Sequence, residues 1–246
     1  MIKILYAHNI GNPNEFLNSG NITSYEQLKG LITNIAKYTV DLGYIDLLKK
    51  NQSEKELRYL ITFDDGYKSF KEQVYPLLKS YGVPAVLFVT TGFIGSSIYQ
   101  YESVLEDMVT QLSRMVDIKG NIIWTSSLEA KKKMFDRTRL KLKYKNPRVR
   151  TKLLLELMKK NKFHFQNKDL FLSWNDIAEL DKDPLIRIGI HTHQHPVLTS
   201  LSPLKVYHEI NISKNILENK LGHEVQCLSY PYGSNSLVVR VVSKFK

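Results

Sequence analysis

Cysteine is almost absent from this sequence: Cys227 is the single one in 246 residues. No intrachain disulfide can form, and nothing points to an oxidising compartment. Long apolar runs are missing too, since no stretch approaches the roughly 20 apolar residues of a bilayer-spanning helix. The N terminus lacks a secretory pattern, because its short apolar run soon meets His8, Asn9 and Pro13. These absences predict a cytoplasmic chain, with membrane contact at most peripheral. No internal repeat is evident. Glycosylation tripeptides start at Asn21, Asn51 and Asn211, and they carry little weight without secretion.

Acidic residues are scarce in one region. Between Lys131 and Lys168 only Asp136 and Glu156 stand against a dense basic run, within a chain of net charge +11. Such a run is either a solvated face or a surface for an anionic partner, such as an anionic membrane or a lipid-linked glycan. Nucleic acid is disfavoured, because no recognition motif and no stacking rhythm of aromatics occurs there.

Apolar residues make up 43% of the chain, enough for one large α/β domain or two small ones. Strands are predicted at Lys3–Ala7, Tyr59–Phe63, Ala85–Val89, Ile186–Ile190 and Val225–Ser229. Helical spacing recurs at Leu28, Leu31, Ile32 and Ile35, behind a capping box of Ser24 and Gln27. A second helix, Ser69–Tyr81, carries Phe70, Val74, Leu77 and Leu78 on one face, and Pro76 predicts a kink or two short pieces. Strand, helix and strand within about thirty residues form a βαβ unit and imply parallel strands. Tyr38–Leu48 reads as a short strand and a helical turn. About 95–171 reads as a mostly helical insertion within one domain. Beyond it, Ser173 caps a short helix ending near Leu180. Ser202 and Pro203 open a longer one through Val206, Ile210, Ile216 and Leu217 to Gly222. An amphipathic element begins at Leu237.

Three strand ends carry polar groups that burial alone would not select. Asp64-Asp65-Gly66 ends the second strand, His191 to His195 ends the fourth, and Tyr230-Pro231-Tyr232-Gly233 ends the last. In parallel sheets the carboxyl ends of the strands form the ligand face, so all three are expected at one cleft. Taken singly, each is most often a turn or a surface pair; their joint occurrence points to a site. His191 and His195 would share a face on a helix, but the preceding strand and Pro196 favour a loop. Two neutral imidazoles with one carboxylate suit Zn²⁺ or another first-row metal, and a free carboxylate beside them suits a general base.

Thr62–Gly66, His191–Pro196 and Tyr230–Gly233 resemble the first three motifs of the polysaccharide deacetylases, carbohydrate esterase family 4 with the NodB homology domain. Tyr6-Ala7-His8 is similar to the opening of one branch of that family. The resemblance covers about 1–94 and 172–246 and leaves the basic insertion outside. It implies an α/β fold, a distorted (β/α) barrel incomplete at its C-terminal end, and removal of N-acetyl groups from an amino-sugar glycan. The implied cofactor is a divalent metal, zinc first, with cobalt, nickel or manganese as alternatives.

By position, the resemblance implies Asp64 as catalytic base and Asp65, His191 and His195 as metal ligands. It implies the Tyr232 N–H as an oxyanion donor. Thr192, Pro231, Gly233 and His8 are expected to support or line the site, and His193 to face away. Two departures are expected to matter. Ser229 stands where many members have an arginine beside the base, and the family's later Leu-x-His motif, which supplies the general acid and is expected well beyond Gly233, is not found between Gly233 and Lys246. A glycan-binding remnant without catalysis is the alternative reading, and a basic membrane or nucleic-acid binder is a third.

Overall fold

The computed structural model describes residues 2–12, 22–43, 57–95, 98–165 and 170–243. The glycosylation tripeptides at Asn21 and Asn51, and the later part of the expected Tyr38–Leu48 elements, lie outside these residues. Its centre is a parallel sheet of four strands in the order β1 (Ile2–Ala7), β4 (Arg58–Phe63), β5 (Ala85–Val89) and β8 (Ile186–Ile190). Among the described residues the sheet is open and does not close into a ring. Two short strands, β2 (Asn9–Ile10) and β3 (Ile22–Thr23), pair with each other beside it.

Register sets the position of the site. Ala7 pairs with Phe63, Phe63 with Leu87, and Val89 with Ile190. The residues that follow, His8, Asp64, Thr90 and His191, therefore leave the sheet at one edge. The Asp64 N–H donates to the Ala7 carbonyl at 3.0 Å and the His191 N–H to the Val89 carbonyl at 3.0 Å, carrying the ladder to the mouth of the cleft.

Alternation along the strands divides the sheet into two faces. Ile61, Phe63, Leu87, Val89, Ile188 and Ile190 point into the main core, against helix α1 (Tyr25–Ile35) and α2 (Tyr75–Tyr81). Leu60, Thr62 and Phe88 point the other way and line an open cavity with Ile4 and Tyr6, which are 63% and 72% exposed. Helix α1 starts at the expected capping box, Ser24 Oγ accepting from Gln27 N–H and Gln27 Oε1 from Ser24 N–H. Leu31 does not belong to its buried stripe and is 37% exposed.

Around Pro76 the helix takes two pieces, as expected, the second being α2. A π-helical turn, Phe70–Val74, precedes it, and the Tyr75 N–H reaches back five residues to the Phe70 carbonyl. The wider turn lies just before the proline, which has no N–H to give. One further expectation holds by position only and another fails, both for hydrogen-bonding reasons. Ser202 occupies the cap of α7 (Pro203–Leu221), but its side chain makes no capping bond. Val225–Ser229 makes only one parallel bridge, between Leu228 and Ile190. The Val225 N–H is engaged by the Glu218 carboxylate at 3.0 Å, and Pro231 has no donor to extend the ladder.

Residues 98–165 hold α3 (Tyr101–Gln111), α4 (Leu128–Lys143) and α5 (Pro147–Lys160) around an apolar cluster of their own, including Leu105, Met108, Phe135, Leu154 and Leu157. The segment is not purely helical. Arg114–Val116 and Ile122–Trp124 form an antiparallel hairpin, β6 and β7, whose turn is held by Asn121 N–H on Asp117 Oδ1 at 2.8 Å. After it come α6 (Trp174–Leu180), capped by Ser173 as expected, α7, and α8 (Leu237–Val242). No helix among the described residues is long and apolar enough to cross a membrane.

Candidate active site

The Asp64-Asp65-Gly66 turn bends sharply because Asp65 (φ 75) and Gly66 (φ 85) both adopt left-handed backbone. An aspartate tolerates that region better than most residues, and glycine adopts it freely. The turn aims both carboxyl groups at the sheet edge, where His191 and His195 arrive from the end of β8. The His191–His195 segment is a turn and not a helix; Thr192 (φ 65) and His195 (φ 51) reverse its direction.

Asp65, His191 and His195 converge. His195 Nε2 lies 3.3 Å and His191 Nε2 3.7 Å from Asp65 Oδ1, and the two Nε2 atoms are 3.2 Å apart. Tetrahedral zinc with ligands at about 2.0 Å requires neighbouring ligand atoms about 3.3 Å apart. The donor set and spacing therefore fit a first-row cation. His191 Nδ1 faces the Ser229 carbonyl at 3.0 Å, which places its proton there and leaves Nε2 free to coordinate. The Thr90 hydroxyl supports the same corner, 3.5 Å from Asp65 Oδ1 and 3.2 Å from the His191 carbonyl.

Asp64 stands outside that triangle, its Oδ2 3.9 Å from His191 Nε2 and 4.0 Å from His8 Nε2. Its Oδ1 is buried without a hydrogen-bond partner. Burial pushes the Asp64 carboxyl up to about 6, against the opposing pull of His8 and the Ser229 hydroxyl. Ser229 thus stands beside Asp64, where the motif resemblance led one to expect an arginine, and burial dominates. Asp65 rises to about 7, again through burial, with His191 opposing. Burial lowers His191 to about 4 and His195 well below the ordinary histidine value. The metal-free cluster therefore holds neutral imidazoles beside carboxyls that retain protons unusually well.

The third turn closes the cleft. Pro231 is buried, and Tyr232 (φ 58) and Gly233 (φ 62) turn back over the histidines. The Tyr232 ring meets His195 edge-on, with centroids 4.7 Å apart. Thr192 is fully buried, and its Oγ1 accepts from the His195 N–H at 3.2 Å. His193 points elsewhere and bonds through Nδ1 to Thr91 Oγ1 at 3.0 Å. His8, Asp64, Asp65, His195, Tyr232 and Gly233 all border one cavity of about 630 Å³.

The sequence reading missed the wall contributed by 98–165. Glu102 and Lys143 line the same cavity. The Tyr232 hydroxyl donates to Tyr101 Oη at 3.4 Å, and that hydroxyl donates to Glu102 Oε1 at 3.1 Å. Lys143 Nζ lies 4.4 Å from the Tyr232 ring centre. A signal existed: Glu102 sits three residues before Leu105 and seven before Val109, on the buried stripe of its helix.

Comparison with known proteins gives one family. The sequence profile described as "Polysaccharide deacetylase" matches residues 49–121 and 134–245, more than half of the chain. The match runs through α5 and most of α4, so the basic segment does not lie outside the family, as the motif resemblance had implied. YxkH of Bacillus subtilis (strain 168), whose name assigns it provisionally to these deacetylases, is 36% identical over 62 residues. That stretch spans 25% of this chain and only 22% of YxkH. Among solved structures, IcaB from Ammonifex degensii superposes with a TM-score of 0.60 at 16% identity, covering 98% of this chain and 78% of that one. The Streptococcus pyogenes deacetylase PplD, in complex with acetate, gives 0.57 at 17% identity, covering 98% and 77%. At these identities the two structures establish the fold.

Proposed function

The chain belongs to the polysaccharide deacetylases, hydrolases that cleave the amide of N-acetylated sugars, and from that premise we propose that it removes N-acetyl groups from an amino-sugar glycan in a metal-dependent reaction. One observation carries the proposal. Ligand atoms of Asp65, His191 and His195, all buried, lie within 4.8 Å of one another, beside the unpartnered buried oxygen of Asp64.

Asp65, His191 and His195 are assigned to the ion, zinc first, with cobalt, nickel and manganese as alternatives. Bound there, the ion supplies Lewis acidity toward water and the amide carbonyl. Asp64 is the base. A carboxyl near 6 is ionised at neutral pH yet basic enough to take a proton from the attacking water and return it to the leaving nitrogen. The Tyr232 N–H donates to the developing oxyanion, a contribution worth about 3–4 kcal/mol per donor in other hydrolases. Thr192 holds the His195 backbone, Pro231 and Gly233 shape the Tyr232 turn, and His8 borders the bound sugar. The whole of 1–246 acts as one catalytic domain, with 98–165 as one wall of its cleft.

The test is acetate release from an N-acetylglucosamine oligomer. Zinc-loaded protein is expected to turn over, and Asp64→Asn is expected to bind zinc but release no acetate above background. Equal release by both proteins would remove Asp64 from the chemistry.

A further inference from the structure

The His191–His195 turn carries two residues with positive φ and two histidines whose aim must hold to a fraction of an ångström, so what braces it matters. Its backbone polar groups are consumed one by one. The Thr192 carbonyl accepts from Thr91 N–H at 3.3 Å, and the His193 carbonyl from Gly92 N–H at 2.9 Å. At Gly92 any side chain would collide with the His193 carbonyl. Four more of its donors and acceptors are taken by two charged side chains from distant helices. Glu209 Oε2, on α7, accepts from His193 N–H at 3.2 Å and Gln194 N–H at 2.8 Å. Arg150, on α5, donates from one guanidinium nitrogen to the His195 carbonyl at 3.1 Å and from the other to the Gln194 carbonyl.

Both side chains are buried, Arg150 at 4% and Glu209 at 8% exposure. A buried guanidinium and a buried carboxylate are costly to desolvate unless their partners are fixed. Here the partners are mainly peptide groups of the ligand turn. Arg150 also lies 4.9 Å from the centre of the Tyr101 ring, whose hydroxyl accepts from Tyr232. One guanidinium therefore touches the turn that carries His195 and the ring that steadies the Tyr232 turn.

We propose that Arg150 and Glu209 are positioning residues that clamp the His191–His195 turn from two separate helices and preorganise its imidazoles for the ion. The basic segment then has a role inside the site: α5 delivers a cation to the backbone of a ligand turn. This inference rests on the metal site proposed above. A planar fork suits two adjacent carbonyls in a way that a lysine ammonium does not.

The test measures zinc affinity of the full chain by competition with a chromogenic chelator, with the visible spectrum of the cobalt-substituted protein as a readout of ligand geometry. Arg150→Met is expected to weaken zinc about 10- to 100-fold, the range seen when outer supports of metal ligands are removed, and to alter the cobalt bands. Arg150→Lys is expected to recover part of the loss, and Glu209→Gln to lose less than Arg150→Met. Arg148→Met, an exposed change on the same helix, is expected to bind as wild type. If Arg150→Met fails to fold, Arg150→Lys and Glu209→Gln decide. Wild-type zinc affinity and cobalt bands in every folded variant would overturn the clamp while leaving the metal site intact. A wild-type chain that binds neither ion would overturn both.

Discussion

Metal binding to this chain should draw its protons from carboxyls and not from imidazoles. In an exposed histidine site, acid weakens binding as the rings protonate near 6.5. Here burial has already neutralised the rings, with His191 near 4 and His195 lower, and has raised Asp65 to about 7 and Asp64 to about 6. A cation needs the Asp65 carboxylate ionised, so its affinity must fall as pH drops below about 7. At pH 6 a group titrating near 7 is about ten to one protonated; displacing that proton costs about 1.4 kcal/mol, or tenfold in affinity. At pH 5 the Asp65 factor is about a hundredfold, and ionising Asp64 adds up to about tenfold more. Zinc competition titrations from pH 5 to 8 measure the slope. Calorimetry at pH 5.5 in buffers of differing ionisation enthalpy, run at about that pH, counts the protons released. Asp64→Asn should remove only the second proton. An affinity that stays flat from about pH 8 to 6 would refute the reasoning.

The same shifts oppose each other in the stability of the metal-free chain. Between about pH 4 and 6 the raised carboxyls make the folded state bind more protons than the unfolded state, so stability falls as pH rises. The lowered histidines do the reverse, and the two contributions largely offset. Replacing Asp64 and Asp65 together by Asn removes the two most raised carboxyls of the site and lets its lowered histidines dominate, so urea denaturation of that variant should show stability rising from about pH 4 to 6.5; a flat profile would contradict this. Asp64→Asn should lower turnover by about 10²–10⁴-fold while the zinc constant at pH 8 changes little, as read by acetate release and chelator competition. Ser173→Ala removes the side-chain half of the capping box at α6, leaving the Ser173 N–H on Asp176, and should cost about 1 kcal/mol of unfolding free energy without affecting metal binding.

Much of this architecture is readable in the residues because local and global signals agree. Ser24 with Gln27 marks α1, the apolar runs before Asp64 and His191 mark strands, and parallel pairing follows from their spacing. The polar strand ends stand out because nothing about burial selects them. The hairpin of 114–124 was hidden by its short strands, with only Gly120 to mark the turn. Val225–Ser229 looks like a strand, yet a carboxylate from α7 competes for its first donor. Arg150 and Glu209 lie on apolar stripes, with Leu154 and Leu157 in one case and Val206 and Ile210 in the other. A lone charge on a buried stripe was the available clue. Its partner was not, because each side chain bonds to backbone some 15 to 45 residues away.

The most direct measurement is acetate release from an N-acetylated glucosamine oligomer by one preparation in three states: as isolated, stripped by chelator, and reloaded with zinc. The account predicts that stripping abolishes release, that one zinc per chain restores it, and that Asp65→Asn cannot be restored at the same zinc concentration. Undiminished release by stripped protein, or none by reloaded protein, would contradict it.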